Sequence, residues 1–256
     1  MLRVLIAGVT GWAGAPLARA VDAGPDLELA GGIARRGADY ASVADALAAV
    51  EADVLVDYTS AAAVRPNVDA ALAAGLHVVV GSSGLSEADY TEIDAASRAA
   101  GRGVIAAGNF SVLAATLLHA ATIAAAHIEH WEVIDYGSAT KPDAPSGTSR
   151  EIAERLAEVH EPAPADHDRD LIGHPEARGA SVAGTRVHSV RLPGYALSTD
   201  VILATPDERL VIRHEAGASA APYIVGTLLA IRRVPEVSGV MRGLDRLLFG
   251  RSPRVE

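Results

Sequence analysis

The chain has 256 residues, contains no cysteine and carries a formal net charge of −10. The length allows one large domain or two modest ones, and the lack of cysteine excludes disulfides, thiolate catalysis and thiolate metal sites. The acidic balance argues against generic binding to nucleic acid or to an anionic membrane, because both require a basic surface. The chain begins almost at once with an apolar run and has no apolar run of about 20 residues, so we expect a cytoplasmic protein without a signal peptide or membrane span.

The first half of the chain alternates short apolar runs with alanine-rich helical stretches. The predicted strands are Arg3–Ala7, Leu27–Ile33, Asp53–Asp57, His77–Val80 and Gly103–Ala107. The predicted helices are Trp12–Ala23, Ala61–Ala74 ended by Gly75, and a helix from an N-cap at Ser86 towards Ala100 ended by Gly101. This alternation, with near-continuous apolar strands, is typical of a parallel sheet covered by helices on both faces.

The pattern changes after Asn109, which indicates a second domain. The predicted elements are a helix at about Val112–Ala126, a strand at about Ile128–Tyr136, a helix near Gly147–Glu158, strands at Arg186–Leu192, Leu197–Ala204 and Arg209–His214, and a last helix at Ala220–Arg232 before a basic tail. The stretch Pro162–Gly184 is predicted to be irregular. Short turns at Pro193-Gly194 and Pro206-Asp207 favour an antiparallel or mixed sheet.

A glycine-rich loop follows the first strand and opens a helix, in the spacing G-x-x-G-x-x-G. Glycines there permit a tight turn and allow backbone amides to approach a pyrophosphate at the positive end of a helix. The spacing alone also fits a chance glycine turn, but its position ahead of four more strand–helix units favours a dinucleotide site. The cofactor-binding candidates in this loop are Gly8, Thr10, Gly11, Trp12, Ala13 and Gly14.

Cofactor choice is usually decided at the end of the second strand, where a carboxylate favours NAD and an arginine favours NADP. This chain has Arg35 and Arg36 there, and although two solvated arginines are an alternative interpretation, we predict contact with NADPH in preference to NADH. Further cofactor candidates follow the later strands, at the sheet edge where ligands of such folds bind. They are Tyr58, Thr59, Gly81, Ser82, Ser83, Ala107, Asn109 and Phe110.

The stretch from Lys141 to Thr148 reads K-P-D-A-P-S-G-T. Its lysine is a mobile cationic donor, and Ser-Gly-Thr at the start of a helix offers hydroxyls and amides that suit a carboxylate. A generic N-cap explains the serine and threonine equally well, but not the whole octapeptide. With K-x-D-A-P-S-G-T the chain resembles the dihydrodipicolinate reductase family of lysine biosynthesis. Its glycine loop, the Gly81–Gly84 loop (commonly G-T-T-G in the family) and the triplet Asn109-Phe110-Ser111 follow the family's order and spacing.

This resemblance implies an α/β protein with two domains. A Rossmann-like parallel-sheet domain (1–108 and 220–256) would bind the dinucleotide, and a smaller α+β domain (109–219) with a mixed or antiparallel sheet would bind substrate and form a homotetramer. The implied activity is an NAD(P)H-dependent reductase that transfers hydride to a C=N or conjugated C=C bond of a small cyclic carboxylate. Lys141 would be the catalytic residue, and Ser146, Gly147 and Thr148 would hold a substrate carboxylate.

The chain departs from the family where E-x-H-H-x-x-K is usual. The acidic position is Asp135, and the histidine positions are Gly137 and Ser138. Of these two positions, only Ser138 is a polar substrate-binding candidate. The loss of one general acid typically costs about 10²–10⁴-fold in rate. Tyr136 and Thr140 are nearby hydrogen-bond donors, but their pKa values match proton transfer poorly.

Three explanations stay open for this departure. Lys141 or water suffices as the acid; or the enzyme reduces a related imine or unsaturated compound of specialised metabolism, with one well-held carboxylate; or the protein binds a dinucleotide without catalysis. An amino-acid or sugar dehydrogenase is disfavoured by the octapeptide, and a hydrolase by the lack of a G-x-S-x-G elbow. No metal site is predicted, because the histidines, among them His160, His167 and His174, lack ligand spacing. Arg191 and His214 lie on predicted strands, where pocket lining and ion pairing at a subunit interface are equally compatible.

Overall fold

The computed structural model of the chain describes residues 1–163 and 172–250. The chain forms two compact units, the first built from Met1–Val112 and Ala220–Leu247, and the second from Leu113–Ser219 and the described residues after Leu247. The second unit is therefore an insertion in the sequence of the first. Among the described residues, no helix is long and apolar enough to cross a membrane.

The elements in chain order are β1 (Leu2–Ala7), α1 (Gly14–Asp22), β2 (Leu27–Ile33), α2 (Val43–Ala49), β3 (Val54–Asp57), α3 (Val64–Ala73), β4 (His77–Val80), α4 (Glu87–Ala100), β5 (Gly103–Ala106), α5 (Val112–Ala125), β6 (His130–Gly137), α6 (Gly147–Ala157), β7 (Ala180–Val182), β8 (Thr185–Arg191), β9 (Leu197–Ala204), β10 (Arg209–Ala216), α7 (Ala221–Arg233), β11 (Gly239–Arg242) and α8 (Leu244–Phe249).

The first unit contains a six-stranded sheet in the order β11-β5-β4-β3-β1-β2, and all of its strand pairs are parallel. Its central strands are apolar on both faces, since β3 and the last four residues of β1 are fully buried. The chain passes from β1 to β2 on one side and later to β3 on the other, so the carboxyl end of β1 lies at the point where the strand order reverses. Ligands of open α/β sheets bind at such a point.

The second unit contains a five-stranded sheet in the order β10-β9-β6-β8-β7. Its central strand β6 pairs parallel with β8 and antiparallel with β9. One face of β6 is buried, and it presents Trp131, Val133, Asp135 and Gly137. The apolar part of that face packs with α5 and α6 in a separate core. The predicted α/β class, with a Rossmann-like parallel sheet and a smaller mixed sheet, is confirmed.

Several predicted elements differ from the structure. The turn at Pro193-Gly194 does not join neighbouring strands, because β6 lies between β8 and β9. The stretch predicted as irregular contains a 3₁₀ turn (Pro175–Arg178) and β7, although its residues 164–171 lie outside the described residues. The short helix α2 was not predicted. After α7 the chain adds β11 and α8 where only a tail was expected, and residues 251–256 lie outside the described residues.

Candidate active site

The glycine loop after β1 is held by very close backbone contacts. Gly8 has a positive φ of 85°, and a Cβ built on it would lie 2.1 Å from the carbonyl oxygen of Tyr58. A Cβ on Gly14 would lie 2.1 Å from the carbonyl oxygen of Gly8. The amide of Gly11 donates to that same carbonyl at 2.9 Å. Side chains cannot be accommodated at the first and third glycines, so the predicted loop has a structural reason for its spacing.

Helix α1 begins directly after this loop, and its N-terminal end suits an anion. Its N-cap is Ala13, which makes no side-chain capping hydrogen bond. Because the first amides of a helix point outward and carry partial positive charge, this end fits a pyrophosphate. Thr10 and Gly11 are exposed, and Trp12 is 58% exposed with its ring edge-on to Tyr223 at 5.3 Å between centroids.

Two arginines follow β2, and the first carboxylate after them accepts a hydrogen bond from the main chain of that strand. Arg35 and Arg36 are both exposed. Asp39 accepts a 2.8 Å hydrogen bond from the amide of Gly32, which ties the turn after the arginines back to the strand. The carboxylate therefore serves the loop, while the two guanidinium groups face solvent at the end of β2.

A fully buried carboxylate connects the loops after β3 and β4. Asp57, the last residue of β3, is 0% exposed. It accepts hydrogen bonds from the Ser82 hydroxyl at 2.6 Å, the Thr59 hydroxyl at 2.8 Å, the Thr59 amide at 3.1 Å and the Asn67 side chain at 2.7 Å. Sequence reasoning included Thr59 and Ser82 but missed Asp57. An acidic residue ending an otherwise apolar strand was the available signal.

Two of the aromatic cofactor candidates are used in the packing of the first unit. The Tyr58 hydroxyl is 2.6 Å from the hydroxyl of Thr227, which itself donates to the Tyr223 carbonyl, so Tyr58 is the donor of this pair. Burial raises the pKa of Tyr58. Phe110 is 1% exposed and lies edge-on to the Tyr58 ring. Any contact of these two residues with a ligand would therefore rest on their main-chain atoms.

The remaining loop candidates lie around these rings. A Cβ on Gly81 would meet the Tyr58 ring at 2.2 Å, so this glycine is required by packing. Ser83 is exposed, and the amide of Ala107 donates to the Val80 carbonyl at 3.2 Å. The side chain of Asn109 accepts from the Ser111 amide at 2.8 Å, which shapes the turn that follows β5.

In the second unit, a short loop after β6 carries Lys141, the single lysine of the chain. Its amide donates to the Ser138 carbonyl at 3.0 Å, and its ammonium pairs with Asp143 at 2.7 Å between Nζ and Oδ1. The Lys141 side chain is 27% exposed, so its cation is partly open to solvent. The hydroxyls of Ser138 and Thr140 lie 3.3 Å apart on the same loop.

The loop ends at the beginning of α6, where Ser146 is the N-cap. The Ser146 hydroxyl accepts from the Ser149 amide at 3.2 Å, so this serine has the N-cap role that was the alternative interpretation to holding a substrate carboxylate. Gly147 opens the helix, and Thr148 is 7% exposed. The amide of Ser146 donates to the Asp135 carboxylate at 2.8 Å. An anion from the protein thus already lies at this helix end, next to the residues predicted to hold a substrate carboxylate.

The charge of Asp135 is balanced by Arg191, which lies at the end of β8. Arg191 donates to the Asp135 carboxylate at 2.6 Å, and the carboxylate is 0% exposed. Burial alone raises the pKa of Asp135, but the hydrogen bonds from Arg191 and Ser146 outweigh it and bring the pKa below its ordinary value. Sequence analysis left Arg191 between pocket lining and an interface ion pair; its carboxylate partner is in the same chain.

Gly137 and Tyr136 lie side by side on β6 and point to opposite faces of the sheet. The Tyr136 hydroxyl donates to Asp200 at 3.2 Å, and its ring stacks on Tyr195. Tyr136 therefore lies on the face opposite Gly137, and the structure does not support it as a substitute proton donor beside Lys141. No group of three or more metal-ligating side chains occurs among the described residues, and His167 lies outside them.

Comparisons with known proteins agree with this arrangement. The family model described as the dihydrodipicolinate reductase N-terminus matches residues 2–110, and the model of its C-terminus matches residues 110–248. The chain is 33% identical over 248 residues to 4-hydroxy-tetrahydrodipicolinate reductase of Mycolicibacterium smegmatis, covering 96% of this chain and 99% of that one. It is 36% identical over 253 residues to the protein of the same name in Streptomyces coelicolor, covering 96% and 98%.

A solved structure has the same fold. A dipicolinate-bound dihydrodipicolinate reductase from Paenisporosarcina sp. TG-14 superposes with a TM-score of 0.78 at 24% identity, covering 96% of this chain and 99% of that chain. The family models together span almost all of the sequence, and the relatives above align over nearly their full lengths. The chain therefore belongs to the dihydrodipicolinate reductase family, whose members are NAD(P)H-dependent reductases.

Proposed function

We propose that this chain is a 4-hydroxy-tetrahydrodipicolinate reductase of lysine biosynthesis that uses NADPH in preference to NADH. The observation that carries the proposal is the Lys141 loop, which places the single lysine of the chain between the end of β6 and the N-terminal end of α6. Full-length similarity to reductases of that name supports the same substrate. The family reaction is favoured over a shifted substrate or a non-catalytic protein because the cofactor loops and Lys141 are retained.

The reaction adds two electrons and two hydrogens to a conjugated C=N or C=C bond of a small cyclic dicarboxylate. Bound NADPH supplies the hydride. Ser146, Gly147 and Thr148, at the positive end of α6, hold one substrate carboxylate, with Ser138 as a further hydrogen-bonding group. Lys141 stabilises the negative charge that develops on the reduced bond and passes a proton to the atom that carries this charge. It then regains a proton from water.

The first unit holds the dinucleotide. The amides of the loop from Gly8 to Gly14 contact the pyrophosphate, and the loops after β3, β4 and β5 contact the rest of the cofactor. Arg35 and Arg36 bind the extra phosphate of NADPH, since they are exposed cations at the end of β2. The resemblance to the family further supports a cytoplasmic homotetramer assembled through the sheet of the second unit. The exposed Leu210 and Val211 on β10 are consistent with that surface.

The test is NADPH oxidation by purified protein with freshly generated substrate, run beside NADH and a blank without substrate. We expect turnover with a preference for NADPH. Lys141→Ala should lower kcat by about 10²–10⁴-fold and leave the NADPH dissociation constant unchanged. Arg98→Ser, a change at an exposed position of α4 outside the cofactor loops, should leave Lys141-dependent turnover intact. Tight NADPH binding without turnover would contradict the proposed substrate.

A further inference from the structure

The side chains of Lys141 and Arg191 fill the space next to Gly137. A Cβ built on Gly137 would lie 2.9 Å from Cδ of Lys141 and 3.2 Å from both Cζ and Nε of Arg191. Contacts this short are tighter than real Cβ contacts usually are, so even an alanine would press on both cations. Gly137 is itself buried. The space beside Gly137 is therefore occupied by two side chains from elsewhere in this chain.

Arg191 connects the strand to the loop that carries Lys141. Besides the Asp135 carboxylate, its guanidinium donates to the main-chain carbonyls of Asp135 at 3.1 Å and of Asp143 at 2.6 Å. Asp143 in turn pairs with the Lys141 ammonium through its side chain. The Asp135 carboxylate also accepts from Ser146, at the other end of the loop. One guanidinium thus fixes the loop at both of its ends.

The remaining nitrogen of Arg191 shows how closely the guanidinium is enclosed. Its Nε is buried and has no hydrogen-bond partner among the described residues. Of the Arg191 atoms, Nε and Cζ lie nearest the Cβ position of Gly137, and the missing Cβ provides the room for them. A buried donor without a partner costs about 1–3 kcal/mol, so the other hydrogen bonds of the group must outweigh this loss. Glycine at position 137 and arginine at position 191 are therefore structurally linked.

We propose that Arg191 is the positioning residue of this reductase and that it holds the Lys141 loop from the space beside Gly137. The proposal rests on the proposed function. Arg191 acts through Asp143 and Asp135: it holds the Lys141 loop and neutralises the buried carboxylate beside α6, so that an anionic substrate can bind there. It is not the proton donor, because a guanidinium stays protonated throughout the reaction. The proton therefore still comes through Lys141.

The test is a double-mutant cycle between Arg191 and Lys141. Arg191→Lys keeps a positive charge beside Asp135, so this variant should fold. Its ammonium cannot also reach the Asp143 carbonyl in the fork geometry of a guanidinium. We expect kcat to fall about tenfold in Arg191→Lys and about 10²-fold in Arg191→Met, with the NADPH dissociation constant unchanged. In a Lys141→Ala background, the same changes should alter kcat less than about threefold, since the lysine whose loop Arg191 holds is already absent.

Because Lys141 is the single lysine, its position can also be followed without turnover. Reductive methylation with ¹³C-formaldehyde labels only Lys141 and the N-terminal amine. In the intact protein the Lys141 signal should be displaced from that of a free lysine and should move on addition of dipicolinate. In Arg191→Met, which adds no second lysine, it should shift towards the free-lysine position. The matched control is Arg213→Met, which changes another arginine paired with a buried aspartate, Asp200, on the same sheet and should leave the signal in place.

The outcomes separate the two proposals. Additive losses of kcat in the cycle would show that Arg191 only stabilises the fold through its ion pair, while the proposed function stands. The same holds if substitution of Arg191 leaves the Lys141 signal in place in an active enzyme. An enzyme without turnover and without a dipicolinate-induced change at Lys141 would overturn the proposed function, and the role of Arg191 with it.

Discussion

The Ser82 hydroxyl donates a 2.6 Å hydrogen bond to the carboxylate of Asp57, and this bond joins the loop after β4 to the end of β3. Three further donors point at the same buried carboxylate, so an amide in its place would turn an NH₂ group towards at least one of them. We expect Asp57→Asn to lower the free energy of unfolding by about 1–3 kcal/mol and to weaken NADPH binding, as measured by denaturant unfolding and fluorescence titration.

The control for this substitution is Asp69→Asn. Asp69 is 49% exposed and pairs with Arg65 one helical turn away on α3, so its loss should change stability by less than about 1 kcal/mol. If Asp57→Asn and Asp69→Asn had the same small effect, the Asp57 network would not hold the loops after β3 and β4 together.

A histidine introduced at position 137 should damage the enzyme. In Gly137→His the imidazole would occupy the volume of the Lys141 and Arg191 side chains, and both would have to move. We expect kcat to fall about tenfold or more, and the protein to be destabilised by about 1–3 kcal/mol, typical of overpacking. Steady-state kinetics and thermal unfolding measure the two effects.

Ala139→His is the matched change, since Ala139 lies in the same loop but is exposed. It adds the same imidazole without displacing a packed cation, and kcat should stay within about twofold of the wild-type value. A rise of kcat in Gly137→His would contradict this prediction, because it would mean that the Lys141 and Arg191 side chains move aside for an imidazole without loss of activity.

At acidic pH, the free energy of unfolding should depend on the charge of Asp135. The pKa of this carboxyl is lower in the folded state than its ordinary value of 3.8, so its contribution is present above that value and is lost as the pH falls through the lower, folded pKa. Asp135→Asn removes one partner of a buried ion pair and should cost about 3–5 kcal/mol at pH 7. The difference in the free energy of unfolding between wild type and variant should become smaller below about pH 4.

Urea unfolding at several pH values measures this difference. Asp207→Asn, in the exposed turn between β9 and β10, should show no comparable narrowing. A difference between wild type and Asp135→Asn that stayed constant from pH 7 to pH 3 would contradict the linkage argued for Asp135 and Arg191.

Cofactor preference should depend on the two arginines after β2. Replacing Arg35 and Arg36 with serine removes the donors proposed for the NADPH phosphate. One hydrogen bond to a charged group contributes about 1.5–3 kcal/mol, so kcat/KM for NADPH should fall about 10–100-fold. The value for NADH should change less than about threefold. Arg98→Ser, which removes an exposed arginine of α4, is the control; equal losses with both cofactors would contradict the assignment.

Elements marked by local signals were predicted well from the sequence. Strands β2, β4 and β9 have the predicted bounds, because a buried strand is a short apolar run between polar turns. Helix α4 was predicted from its N-cap Ser86 and its terminal Gly101, which has a φ of 65°. The octapeptide at Lys141 indicated the family for the same reason, since all of its residues are adjacent in the chain.

Features that depend on distant residues were not predicted. The four-residue strand β11 has no pattern of its own and is defined by its pairing with β5. The position of β6 between β8 and β9 overrides the hairpin that a short turn indicated. The same holds for the site: Asp135 was noted as a motif position, but its partner lies 56 residues further along, and nothing in the local sequence connects them.

The central position of β6 also determines the order in which the second unit can fold. Its side chains pair with residues that are synthesised much later, since Trp131 bonds to Thr185 at a separation of 54 residues and Tyr136 to Asp200 at 64. On the ribosome, β6 therefore emerges with both edges open and waits for β8 and β9, a non-local step that is slow and prone to aggregation. Arg191 reaches Asp135 in that same step, so the nascent chain cannot form its lysine loop before the sheet has closed around β6.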